Sequence, residues 1–158
     1  MRESDSQKGW FGPDDEPSTA VLTVLRHCYV RESQHAMRYR QHAERIHRPQ
    51  FRQLLNMAAD EQKHAELLGV QIQSLGGRIP EVIPVHVANE QNLWQYLRTD
   101  LEDEERCAEE LRDDLLLVLG KSSEIASLLN HIDEGFKKHW LRIRAMLAHS
   151  DPLLAGPP

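Results

Sequence analysis

The chain has 158 residues, and its formal net charge is -6 at pH 7. This length suits one domain with a substantial core. The acidic balance argues against nucleic acid as the main partner, because binding to phosphates requires a basic face. The sequence contains no run of 18 apolar residues and therefore predicts no membrane span.

The two cysteines and the first residues of the chain indicate the cellular compartment. Cys28 and Cys107 are far apart, and neither belongs to a C-x-x-C motif, so a disulfide framework or a zinc knuckle is not expected. Residues 1–17 are polar and contain no apolar core of a signal peptide. We therefore expect a tail at residues 1–17 and a cytoplasmic location.

The first helical segment begins near Ser18 or Thr19, either of which would be a suitable cap, and ends before Pro49. Its apolar residues recur at spacings of three and four, as on the buried face of a helix. Glu32 occupies one position of this buried face. An ionised carboxylate in a core costs several kcal/mol unless it is paired or bound to a metal, so Glu32 requires a partner.

The second segment covers residues 48–75 and ends at Gly76 and Gly77, which are typical of a helix C-terminus. Glu61 lies on its apolar stripe, and His64 follows three residues later. Side chains at this spacing share one face of a helix, so one metal ion could bind both. Residues 78–87 contain two prolines and no helical period, which predicts an extended connection along the length of a bundle.

The third segment, with Asn89 as its expected cap, has Glu104 in its apolar row and ends at Gly120. The fourth begins at Ser122 or Ser123 and continues to Leu147. Together these segments predict an all-α, antiparallel four-helix bundle over residues 18–149, followed by a short tail at residues 150–158. The long connection would lay the third helix parallel to the second.

Several motifs resemble those of the ferritin-like superfamily, most closely bacterioferritin and more loosely the erythrin-like domain of rubrerythrin. The similarity extends over residues 22–147. The motifs that carry it are Glu32 with Tyr39 seven positions later, Asp60-Glu61-x-x-His64, Leu75-Gly76-Gly77-x-x-Pro80, Arg98-Thr99-Asp100-Leu101 before Glu104, and Asp133-Glu134 before Trp140-Leu141.

The resemblance implies a ferritin-like bundle with a long crossover between helices 2 and 3 and a carboxylate-bridged metal site inside. Glu32 and Glu134 would be terminal carboxylates, Glu61 and Glu104 would bridge two ions, and His64 would bind one of them. Tyr39 would donate a hydrogen bond to a ligating carboxylate. Iron is the expected cofactor, as two ions or one, and manganese also suits these ligands. The implied activity is that of a ferroxidase or a peroxide-reducing oxidoreductase.

The fourth helix departs from the pattern, because Lys137 stands where a histidine should follow Glu134. One alignment keeps Glu134 as a ligand and loses the histidine. The other follows the apolar stripe, turns Phe136 and His139 inward and loses the glutamate. We prefer the first alignment, since Asp133-Glu134 and Trp140-Leu141 both support it.

Lys137 also leads to an alternative function. If it forms a salt bridge with Glu134 or Glu104, its ammonium would replace one metal cation, and the protein would be a degenerate binding or interaction protein with one metal or none.

Further expectations concern haem and partners. Gln62 occupies the position of the haem-binding methionine of bacterioferritin, so no haem is expected. The family usually pairs through helices 1 and 2, which implies a homo-oligomer, most simply a dimer. No rubredoxin-type centre is present in the sequence, so an electron donor would be a separate molecule.

Overall fold

The computed structural model describes residues 19–46, 50–87 and 92–150. They form four α-helices: α1 Thr19–Glu44, α2 Gln50–Ser74, α3 Leu93–Val118 and α4 Ser123–Ala148. No strand occurs among these residues, so the prediction of an all-α chain with four helices is confirmed. Each helix has 25 or 26 residues and is therefore about 38 Å long at 1.5 Å per residue.

Each helix packs against two others. α1 contacts α2 and α3, and α4 contacts α3 and α2. The Cα atoms of α2 and α3 stay more than 8 Å apart, as do those of α1 and α4, so these pairs occupy opposite corners of the bundle and meet only through side chains in the core. The extended segment after α2 lies along α1, where the Gln41 amide donates to the Val85 carbonyl oxygen at 2.7 Å.

The core consists of two apolar clusters, and the residues of each come from all four helices. One contains Leu25, Leu68, Leu111 and Leu129. The other contains Tyr39, Leu54, Leu97 and Ile143. The apolar stripes predicted for the four helices face inward, and burial of each large aliphatic side chain contributes about 1.5–3 kcal/mol. A layer of buried polar residues lies between the two clusters.

The helix ends follow local sequence signals. Ser122 caps α4, as predicted. The predicted cap of α3 is wrong: Asn92, and not Asn89, caps it, because the Asn92 side chain accepts from Gln95 N while the Gln95 side chain accepts from Asn92 N. Asn89, Ser18, the tail at residues 1–17 and residues 151–158 lie outside the described residues. None of the described helices is long and apolar enough to cross a membrane.

The end of α2 depends on a left-handed glycine. Gly76 has φ +72°. Its N–H donates to Gln73 O at 2.9 Å, and Gly77 N–H donates to Ile72 O at 2.8 Å. These two hydrogen bonds define a Schellman motif, which closes the helix where the sequence predicted.

We expect Gly76→Ala to lower the free energy of unfolding by about 1–2 kcal/mol, because a Cβ is unfavourable at this φ. The control is Gly69→Ala within α2. There the atoms nearest to a Cβ would be those of the Tyr29 ring at 3.4 Å and Ile79 Cδ1 at 3.5 Å, which are ordinary contact distances. The control should gain up to about 1 kcal/mol from helix propensity. Urea unfolding measures both values, and equal effects at the two sites would contradict this account.

Candidate metal centre

The polar layer brings together seven buried side chains from all four helices. They are Glu32, His35 and Tyr39 of α1, Glu61 and His64 of α2, Glu104 of α3 and His139 of α4. Three carboxylates and three imidazoles thus share the middle of the core. We call these six titratable residues the central cluster.

The first part of the central cluster joins α1 to α2. The Nδ1 atom of His64 lies 3.1 Å from Glu32 Oε2 and 3.0 Å from Glu61 Oε2. One ligand atom from each of these residues lies within 4.8 Å of the others. Glu32, Glu61 and His64, which the sequence selected, therefore meet at one point, with a spacing that suits a single ion.

The second part lies on the other side of the Glu61 carboxylate. His35, Glu61 and Glu104 also offer ligand atoms within 4.8 Å of one another. His139 Nδ1 lies 2.9 Å from Glu61 Oε1 and 3.7 Å from Glu104 Oε1. Glu61 directs Oε2 to the first part and Oε1 to the second, so this carboxylate could bind an ion in either part.

Several buried atoms of the central cluster have no hydrogen-bond partner among the described residues. They are Glu32 Oε1, His35 Nδ1 and Glu104 Oε2. A buried polar atom without a partner costs about 1–3 kcal/mol. All three atoms are of the type that binds Fe²⁺ or Mn²⁺, and all three belong to residues that surround Glu61. The donor set and its unpartnered atoms therefore fit bound metal.

Burial and mutual hydrogen bonding shift the pKa values of the central cluster. Burial and the neighbouring Glu61 raise the pKa of Glu32 to about 8. Burial alone would lower the pKa of His64, but hydrogen bonds to Glu32 and Glu61 raise it to about 9. Burial alone would also lower the pKa of His139, but hydrogen bonds to Glu104 and Glu61 raise it to about 10. Without metal, the hydrogen bonds to the carboxylates therefore favour the protonated form of both imidazoles.

Outer contacts orient the residues of the central cluster. Tyr39 donates from its hydroxyl to Glu104 Oε1, as the resemblance implied. His35 Nε2 lies 2.8 Å from Asp103 Oδ2, and Asp103 also binds Arg38 and Arg106. A carboxylate at one ring nitrogen of a histidine is a common way to direct the other nitrogen to a metal. Asp103 thus directs Nδ1 of His35 towards Glu61 and Glu104.

The preferred alignment of the fourth helix is wrong. The Glu134 side chain is 61% exposed and is bound to Lys137 at 2.6 Å, on the outer face of α4. The alternative alignment is the one found, because Phe136 and His139 are both buried. The apolar period decided the orientation, since turning Glu134 inward would have exposed Phe136. Lys137 is itself 51% exposed and does not reach the core.

His35 is the residue of the central cluster that the sequence analysis did not propose. It follows Glu32 by three residues, the same spacing as Glu61 and His64. That signal was present, and it indicates that both residues lie on one helix face. Its ring packs edge-on against Phe136, with centroids 5.9 Å apart.

A glycine in the middle of α4 makes room for His64. A Cβ built on Gly135 would lie only 2.6 Å from Cε1 of the His64 ring. Glycine inside a helix costs about 1 kcal/mol relative to alanine, so its presence here requires a reason. The reason is the close approach of α4 to the imidazole, which holds Nδ1 of His64 against Glu32 and Glu61.

We expect Gly135→Ala to lower the free energy of unfolding of the metal-free protein by about 1–3 kcal/mol, because the new methyl group overpacks the site. In a His64→Ala background the same change should be neutral or stabilising by up to about 1 kcal/mol. Urea unfolding of the four proteins gives the coupling energy, which should be at least about 1 kcal/mol. Additive effects would show that His64 does not occupy the space beside Gly135.

The stability of the metal-free protein should fall as pH rises from about 6.5 to 10. The pKa values of His64 and His139, about 9 and about 10 in the folded protein, exceed their ordinary value of 6.5. The folded state therefore retains protons that the unfolded state releases, at a cost of about 1.4 kcal/mol per pH unit for each proton. Glu32 acts in the same direction, since its pKa is raised from 4.5 to about 8.

Urea unfolding with a metal chelator between pH 6 and 10 measures this dependence. His139→Gln is the comparison, because it removes one of the retained protons and should reduce the slope. A rise in stability over this pH range would contradict the assigned pKa shifts.

No protein-family model matches the chain, and no curated protein is significantly similar to it in sequence.

Proposed function

We propose that the protein is a ferritin-like, non-haem metal-binding protein that holds two ions in the central cluster and, with iron, oxidises Fe²⁺ at the expense of dioxygen or hydrogen peroxide. The observation that carries this proposal is the group of unpartnered buried atoms around Glu61, namely Glu32 Oε1, His35 Nδ1 and Glu104 Oε2. A bundle that did not bind metal would gain stability by replacing such atoms with apolar ones.

The arrangement of the helices also supports a ferritin-like bundle. α1 is antiparallel to both α2 and α3. The contacts Glu32–His64 and Arg40–Gln62 support this direction for α2, and Arg31–Glu110 and His42–Asp100 support it for α3. α2 and α3 would then run parallel at opposite corners, as a long crossover requires.

The distribution of ligands differs from that of di-iron carboxylate bundles. In those proteins two helices each provide a Glu and two provide Glu-x-x-His. Here α1 and α2 provide Glu-x-x-His, α3 provides Glu104, and α4 has Phe136 three residues before His139. The proposed centre therefore has three carboxylates and three imidazoles, with His35 supplying the third imidazole.

The protein's own residues would bind, orient and shield the ions. Glu61 would bridge them, Tyr39 would hold Glu104 in position, and the two apolar clusters would exclude bulk water on both sides. Iron supplies the change in redox state when it is bound. A cluster of three negative charges would balance most of the charge of two divalent ions.

A metal-free bundle is the second candidate. It is favoured by the hydrogen bonds of Glu61 with His64 and His139, which partly satisfy the buried charges without metal. The salt bridge between Lys137 and Glu134 that this alternative expected is present, but it lies on the surface, where the ammonium also pairs with Asp133 and does not replace a metal cation in the central cluster. A homodimer and a separate electron donor remain predictions.

The decisive comparison is between Glu61→Gln and Glu134→Gln, which remove the same charge at a buried bridge and at an exposed site. Anaerobic Fe²⁺ titration of the metal-free wild type should show two ions per chain, and exposure to oxygen or peroxide should produce near-ultraviolet ferric absorbance. Glu61→Gln should lose binding by at least about 100-fold, because it removes a carboxylate from both ions. Glu134→Gln should match the wild type.

Circular dichroism of each variant controls for folding. Loss of binding in Glu134→Gln would instead indicate that Glu134 binds metal, as the alignment that the structure contradicts had predicted. Wild-type protein that binds no iron, manganese or cobalt would identify the central cluster as a metal-free polar core.

A further inference from the structure

The two parts of the central cluster have unequal surroundings. The first part has three protein ligands, Glu32, Glu61 and His64. The second part has His35, Glu61 and Glu104, with His139 close to both carboxylates. An ion in the second part would therefore have one more imidazole available.

A buried arginine distinguishes the two parts further. Arg31 is only 6% exposed, and its Nε lies 3.8 Å from Glu32 Oε1. Its guanidinium also lies 5.8 Å from the centre of the Phe136 ring, inside the bundle. The Nε atom has no hydrogen-bond partner among the described residues, so this charge is held beside Glu32 without a direct bond.

The other contacts of Arg31 neutralise its charge only in part. Its Nη1 lies 3.5 Å from Glu110 and 3.7 Å from Asp114, at the end of the guanidinium that faces away from Nε. Glu110 is bound more closely by Arg106, at 2.6 Å. The Cys28 thiol, 3.2 Å from Nη2, is neutral at pH 7, because burial raises its pKa.

In the described part of the chain, no arginine or lysine forms an ion pair with Glu61 or Glu104, whose partners in such pairs are all histidines. Arg38 and Arg106 both bind Asp103, on the outer side of the His35 ring. The Asp103 carboxylate stands between them and the His35 ring, which it contacts at 2.8 Å. Asp103, together with Glu110 at 2.6 Å from Arg106, therefore screens these two charges from Glu61 and Glu104.

We propose that the centre binds its two ions in a fixed order: the first between His35, Glu61, Glu104 and His139, and the second, more weakly, between Glu32, Glu61 and His64, where the Arg31 guanidinium opposes it. This inference rests on the proposed metal-binding function. Arg31 is a specificity-determining residue that makes the two positions unequal and does not itself bind metal.

Anaerobic titration of the metal-free protein with Co²⁺, followed by calorimetry and by visible absorbance, tests the order. The wild type should show two steps whose dissociation constants differ by at least about 10-fold, as expected for a fixed charge near one of two ions. Arg31→Gln should tighten the second step by about 10-fold or more and change the first by less than about 3-fold. Arg31→Lys, which keeps the charge, should resemble the wild type.

Arg112→Gln is the matched control, since Arg112 is 58% exposed and pairs with Asp133 at 3.8 Å on the outside of the bundle. It removes the same formal charge and should change neither step. Two equal steps in the wild type, or an unchanged second step in Arg31→Gln, would overturn the inference. Absence of any Co²⁺ binding by the wild type would instead overturn the proposed function.

Two histidine variants test the order without altering Arg31, should Arg31→Gln fail to fold. His64→Ala should remove the weak step and leave the tight step within about 3-fold of the wild type, because only the second ion uses His64. His35→Ala should weaken the tight step by about 10-fold or more. The opposite assignment of the two steps would refute the proposed order.

Discussion

Three carboxylates that meet in one apolar core are the constraint on which the rest of this structure depends. Glu32, Glu61 and Glu104 are each at most 1% exposed, so water stabilises none of their charges. Uncompensated, each would cost several kcal/mol. Protons, imidazoles, a bound metal or a buried cation could compensate these charges. The surrounding residues include three imidazoles, of His35, His64 and His139, and one buried guanidinium, of Arg31.

The sequence predicted the architecture because each helix has one long apolar stripe. Glu32, Glu61 and Glu104 were recognisable as unusual, since each interrupts such a stripe. The orientation of α4 was harder to predict, because Glu134 matches a family landmark while Phe136 and His139 match the apolar period. The energy of burying Phe136 exceeds the gain from directing one carboxylate inward, and the periodic signal was the better guide.

Other features depend on contacts between helices and leave a weaker trace in the sequence. Gly135 is one glycine within a helix, and its reason is visible only when the His64 ring lies beside it. Arg31 reads as a surface residue beside Glu32, yet it is buried against Phe136 of another helix. His35 could have been recognised by its spacing of three residues from Glu32. It was not proposed, because the adjacent Ala36 already continues the apolar stripe of α1.

Phe136 occupies the position three residues before His139, where the di-iron pattern has a glutamate. This one difference affects both His35 and Arg31. A phenyl ring leaves α4 with one inward-facing candidate ligand, His139, where di-iron bundles place a carboxylate and an imidazole on each of two helices. The centre of the Phe136 ring lies 5.9 Å from the centre of the His35 ring and 5.8 Å from Cζ of Arg31. An inward carboxylate at this position would attract both groups and neutralise Arg31. Because Phe136 is apolar, the His35 imidazole can face Glu61 and the Arg31 guanidinium can act on Glu32. One apolar side chain thus accounts for the proposed difference between the two parts of the central cluster.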